Sequence, residues 1–146
     1  SDLERADGED LKVVITVSPI RYAKYGFHGS QLSKATLLLA ADRLVRQNPG
    51  IVSYFPAYEL MNDELRDYRF YEEDMLHPSS LAVEFIWQRF RAVYFGRAAE
   101  QFLEDWRPIR EAHGHKPFHP DSEAHQRFLA KTEEMERRFN EKYFNS

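Results

Sequence analysis

The first unbroken apolar stretch is residues 13–17 in "LKVVITVSPI", a β-branched run closed by Ser18 and Pro19. A strand apolar on both faces belongs in a parallel sheet covered by helices. A Gly-containing loop, "RYAKYGFHGSQ", precedes "LSKATLLLAADRLVRQNPG", where Leu37, Leu38, Ala41, Leu44 and Val45 recur at helical spacing. Ser33 is its expected N-cap, and Asn48-Pro49-Gly50 its stop. Residues 51–55 of "GIVSYFPAYEL" form a second short apolar run, ended by Pro56, and predict a second strand. The order β-α-β implies a right-handed crossover between parallel strands.

An irregular segment is expected over "YELMNDELRDYRFYEEDMLHPSS", and within it Arg66 or Arg69 is expected to pair with neighbouring carboxylates. The periodicity then predicts a helix over residues 81–95, capped by Ser79 or Ser80, with Ala82, Phe85, Ile86, Phe90, Val93 and Tyr94 on one face. Past Gly96 the chain is charged and helical, with an interruption expected at Pro108. A last helix carries the stripe Ala124, Phe128, Met135, Phe139 and Tyr143, with Asp121 or Ser122 as its cap. The chain reads as an α/β domain over residues 1–96 and a charged helical extension over 97–146.

Two strands make a marginal sheet with both edges open. More strands are therefore expected from an upstream segment of the same protein, from a second chain, or from self-association.

Composition narrows the function classes. Of 146 residues, 42% are hydrophobic and 14% aromatic, enough for one domain with a core. Twenty-four acidic residues oppose 20 scattered basic ones, a formal net charge of -4, which disfavours nucleic acid as a partner. Without cysteine there are no disulfides and no thiolate metal sites. No apolar run approaches the ~20 residues that span a bilayer, and "SDLERADGED" is too acidic for a signal peptide. The expected chain is soluble, and the cytoplasm is favoured over other compartments. It begins without methionine, as a processed chain or a piece of a longer one does.

The chemistry concentrates in "RFYEEDMLHPSSLAVEFIW", where Asp74 and His77 stand three residues apart before Pro78. An imidazole can take the proton of a serine hydroxyl, and a carboxylate can fix its tautomer and stabilise the imidazolium that forms. Pro78 biases His77 toward an extended backbone. By itself, Asp-x-x-His is commonly a surface turn at a helix entrance.

The blocks around it carry a resemblance. "TVSPIR", "HGSQLSKATLLLA", "YFPAYELMNDELRDYRFYEEDMLHPS" and "EFIWQRF" closely resemble the carboxyl-terminal half of the GSCFA family of bacterial proteins, a branch of the SGNH/GDSL hydrolase superfamily. The resemblance covers at least residues 11–95, and "HKPFHPDSEAHQRFL" is similar to the family's tail. It implies a partial three-layer, flavodoxin-like β-α-β fold and a last catalytic block matched by Asp74-Met75-Leu76-His77, with His77 the general base and Asp74 its orienting partner. The Gly-Ser-Cys-Phe-Ala segment that names the family, where the superfamily carries its nucleophilic serine, has no counterpart in this sequence. The superfamily's oxyanion donors also come from earlier blocks. Because oxyanion stabilisation alone is commonly worth ~3 kcal/mol, the isolated chain is expected to be inactive as an esterase.

Further candidates surround the strand end. Ser18 and Arg21 follow the first strand, where open α/β sheets bind ligands, although a strand-ending Ser-Pro turn explains Ser18 as well. His28 and Lys34 stand where a cation and backbone donors can hold an anionic substrate group; helix capping and surface charge are the alternative. His113, His115, His119 and His125 invite a metal reading, but they lack the paired thiolate spacings of structural zinc, and a turn between two helices accounts for most of them. No metal and no cofactor are expected. Two functions stand: a serine-dependent hydrolase or acyltransferase acting on a small acylated, carbohydrate-type substrate, and a non-catalytic interaction module.

Overall fold

The computed structural model describes residues 11–114 and 122–144. Strand β1 (Val13–Thr16) lies parallel to β2 (Val52–Phe55), with Val13 opposite Val52 and Thr16 opposite Phe55. Helix α1 (Gly26–Gln47) connects them. Helix α2 (Ala57–Asp63), a 3-10 turn at Tyr68–Phe70, α3 (Ser80–Tyr94), α4 (Arg97–Gly114) and α5 (Glu123–Tyr143) follow. The described residues are thus mixed α/β and mostly helical, with a single two-stranded sheet. They divide into two compact units, one ending at Ala92 and the other starting at Val93.

In the first unit β1 is half-buried at Val13 and Ile15 but exposed at Val14 and Thr16. The sequence asks for cover on both faces, and the described residues cover one. Phe55, Val52 and Val17 are buried at the strand ends.

Helix α1 corrects the sequence reading at its start. It begins at Gly26, well before Ser33, and no side chain caps it. Two glycines made this stretch look like a loop, and each has a structural reason. Gly26 adopts φ +73° where Gly26 N–H bonds the Ala23 carbonyl, a left-handed turn that glycine enters without steric cost. At Gly29 a Cβ would lie 2.9 Å from the Cβ of Tyr25. Buried Ser30 closes the entrance by accepting the Tyr22 N–H at 3.0 Å. The expected apolar stripe is buried only at Ala41 and half-buried at Leu38 and Val45, while Leu37 and Leu44 remain about half exposed. Two strands are too narrow to cover it.

The segment expected to be irregular contains α2. Its seven residues are too few to show periodicity, yet Pro56 precedes its first turn, Glu59 lies near the positive helix end, and Met61 is fully buried. Met61, Leu65, Tyr71 and Ala82 form the core, with Phe70, Phe85 and Ile86 packed against it. Ser79 caps α3, its hydroxyl accepting the Ala82 N–H at 3.3 Å. Phe90 meets Phe55 edge-on at 5.1 Å, whereas Val93, expected on the same face, is exposed. Among the described residues the Arg69 guanidinium pairs with no carboxylate and lies over the Phe70 ring, while the Arg69 backbone N–H donates to Asp67 Oδ1 at 3.0 Å.

In the second unit α4 runs through Pro108 without a break, against expectation. An interior proline costs ~3 kcal/mol. Ile109 is buried beside it, and Trp106 packs on Phe139 of α5. Ser122 is the N-cap of α5, accepting the His125 N–H; Asp121 lies outside the described residues. The α5 stripe is buried at Phe139, half-buried at Phe128, Met135 and Tyr143, and exposed at Ala124. Asp105 of α4 receives Lys142 at 2.5 Å, Tyr143 at 2.7 Å and Gln101 at 2.9 Å. Those hydrogen bonds hold its carboxyl down to about 2.

Candidate functional site

Asp74 and His77 stand at the tip of a short hairpin. Tyr71 and Pro78 form an antiparallel bridge. The Ser79 N–H bonds the Phe70 carbonyl, and the Glu72 N–H bonds the His77 carbonyl. Buried Tyr71 fixes the base of the hairpin in the core, so the tip projects from a packed support.

Inside the tip, Asp74 organises the backbone. Its Oδ1 accepts the Leu76 N–H at 2.8 Å and the His77 N–H at 3.0 Å, while Oδ2 meets His77 Nδ1 at 2.5 Å. One short side chain satisfies two amides and the imidazole together, which is what an aspartate in a turn does well. The two backbone hydrogen bonds are the largest reason, and the imidazole contact the next, that the Asp74 carboxyl is lowered to about 2. Met75 closes the turn at φ +59°. This left-handed conformation is uncommon for a side chain without a local hydrogen-bonding group and marks strain at the tip.

A carboxylate on Nδ1 favours the tautomer that leaves Nε2 as a proton acceptor. Among the described residues no hydrogen bond engages Nε2, and no serine hydroxyl bonds the ring. The pair is exposed, with side-chain accessibilities of 57% for His77 and 44% for Asp74. It is formed and exposed to solvent.

Arg21 holds the tip from the β1 side. Its backbone N–H donates to the Leu76 carbonyl at 3.0 Å, its Nη1 to the Met75 carbonyl at 3.3 Å, and its guanidinium lies 4.1 Å from the Tyr71 ring centre. Sequence position near the strand end singled out Arg21, but as a pocket residue and not as a clamp. Met75 gave no sequence signal, because nothing in a methionine advertises positive φ.

The other candidates separate. Lys34 is buried on α1, its ammonium donating to the Ser18 carbonyl at 2.6 Å, and burial lowers its pKa. Arg21 and Lys34 line a cavity of about 470 Å³ together with Met75 of the tip. Ser18 and His28 do not line it. The Ser18 hydroxyl accepts the Ile20 N–H at 3.4 Å, as in a strand-ending turn, and His28 is exposed. His113 pairs with Glu136, and His125 stacks on Phe128; His115 and His119 lie outside the described residues. Among the described residues no cluster of three or more His, Cys, Asp or Glu is placed to hold a metal ion.

A family model described as the GSCFA family matches residues 2–90. The chain belongs to the GSCFA family. A second model, described as the C-terminal domain of GSCFA domain proteins, matches residues 106–146, so the two together span both units of this GSCFA chain. No curated protein and no solved structure gives a match. No described helix of the GSCFA chain is long and apolar enough to cross a membrane.

Proposed function

We propose that the GSCFA chain contributes the general base, His77, and its orienting acid, Asp74, to serine-dependent hydrolysis or transfer of an acyl group on a small, carbohydrate-type substrate. The observation that carries this reading is the 2.5 Å contact between Asp74 Oδ2 and His77 Nδ1, with Nε2 left to accept a proton. In the proposed reaction Nε2 takes the serine proton as Oγ attacks the ester carbonyl. It then returns that proton to the leaving oxygen, while Asp74 stays ionised and stabilises the imidazolium. Its lowered pKa suits that role.

The nucleophile is proposed to come from the Gly-Ser-Cys-Phe-Ala segment of a longer form and the oxyanion donors from its other upstream blocks, a half that would also supply strands beside β1 or β2. In a form carrying that segment, a fluorophosphonate should label one serine. His77→Ala should lower kcat on the order of 10²–10⁴-fold, the usual scale for a positioned base. The 146-residue chain alone should not hydrolyse a simple ester; rapid hydrolysis that depends on His77 would overturn the proposal.

A second reading, an interaction module, is favoured by the exposed Leu32, Leu37, Leu39 and Leu44 of α1 and the open strand edges. Equal turnover by the His77→Ala form would favour it.

A further inference from the structure

The cavity beside the hairpin tip lies wholly within the first unit, and its chemistry is one-sided. Its lining includes two cations, Arg21 and Lys34, and no acidic residue, on a chain whose formal net charge is -4. Lys34 is only 7% exposed. An ammonium carries three donors, and among the described residues the one hydrogen bond that Lys34 makes goes to the neutral Ser18 carbonyl. The Tyr58 ring adds a second neutral partner 5.8 Å from Nζ. A buried cation without a carboxylate is costly, since buried charges are ordinarily paired. An anion entering the cavity would meet this ammonium with donors still unused.

The rest of the lining sets what the anion is attached to. Phe27 and Tyr68 stand exposed on the rim, and Tyr58 lies between rim and floor. Aromatic rings, and the C–H faces of sugar rings, pack on such aromatic walls. Tyr58 is held by its hydroxyl, which donates to Gln31 Oε1 at 2.9 Å, and its carbonyl accepts Asn62 Nδ2 at 2.8 Å. A volume of about 470 Å³ falls within the range of small-molecule sites.

We infer that this cavity binds a small ring-bearing anion, a phosphate or carboxylate carried on a sugar or an aromatic ring, with the charged group toward Lys34 and Arg21 and the ring against Phe27, Tyr58 and Tyr68. Binding itself does not depend on the hydrolase reading; only the ligand's being that reaction's substrate or product rests on it. Through Arg21, which donates to the Met75 carbonyl, the bound anion would adjoin the backbone that presents Asp74 and His77.

Calorimetric or NMR titration of the 146-residue chain with glucose 6-phosphate, phenyl phosphate, glucose and inorganic phosphate tests this. Both ring phosphates should bind in the millimolar range or tighter, glucose should not, and inorganic phosphate should bind at least tenfold more weakly than either. Lys34→Met should weaken ring-phosphate binding about tenfold or more, the scale of one lost charge-assisted hydrogen bond. Since Lys34 is buried, Asn62→Asp is the companion variant: it places a carboxylate on the lining at an exposed position and should weaken binding with the circular dichroism unchanged. His77→Ala should leave binding intact, so failure of the base proposal and failure of this one are distinguishable. No binding of either ring phosphate, glucose binding as well as its phosphate, or affinity unchanged in both Lys34→Met and Asn62→Asp would overturn the inference.

Discussion

Asp74 does two jobs with one carboxylate, and they separate by titration. Its folded pKa, about 2, lies below the ordinary 3.8, so the ionised form is favoured in the turn. The stabilisation it gives is present above pH ~4 and is lost as pH falls from there through about 2. The Leu76 and His77 amide resonances should therefore move with a midpoint near 2. Because the backbone hydrogen bonds outrank the imidazole as the cause, His77→Ala should leave Asp74 titrating well below its ordinary value; a return to about 4 would place the cause in the imidazole. Asp-x-x-His was legible as a pair because the spacing fits one turn. The φ +59° of Met75 and the Arg21 clamp were not, since both depend on how the tip is held from outside the motif. Lys34 was legible as a cation but not as a buried one, because its burial comes with a contact sixteen residues away, its ammonium on the Ser18 carbonyl.

The elements show why their presence was easier to foresee than their ends. The β-branched runs and leucine spacing announced β1, β2 and α1, while α2 was hidden by its shortness. Pro108 misled because local propensity forbids what burial of Ile109 and the aromatic packing of Trp106 and Phe139 sustain. Pro108→Ala restores an N–H able to reach the turn before it and removes the ring clash. Against the entropy proline withholds from the unfolded chain, it should still stabilise the second unit by about 1–2 kcal/mol, read as a raised denaturation midpoint. Ser79→Ala removes the acceptor for the Ala82 N–H and should cost about 1 kcal/mol. An unchanged midpoint would show that water replaces the cap.

At the scale of the whole molecule, the deciding features among the described residues are a sheet of two strands and an α1 whose leucines are only partly covered. That two strands leave open edges was legible by counting, but what would cover them was not, because edge strands are recognised by backbone groups that carry no side-chain signature. The chain should self-associate as concentration rises. Leu37→Glu with Leu44→Glu should shift it toward monomer in sedimentation while barely moving its melting temperature, since both positions are about half exposed. Monomer at every concentration in the unaltered chain would count against the open face as an interface. The hairpin over residues 71–78 has a different relation to its surroundings. Its own amides and one carboxylate close it, so much of its shape is written in consecutive codons, with Arg21 bracing the tip from outside. A cassette of that kind can be inherited intact by a chain that no longer uses it, or grafted onto another hairpin with its acid and imidazole still aligned. Whether the pair is formed is encoded largely within those codons; on the proposed reading, whether it is used is encoded by a stretch that would bring a hydroxyl to Nε2.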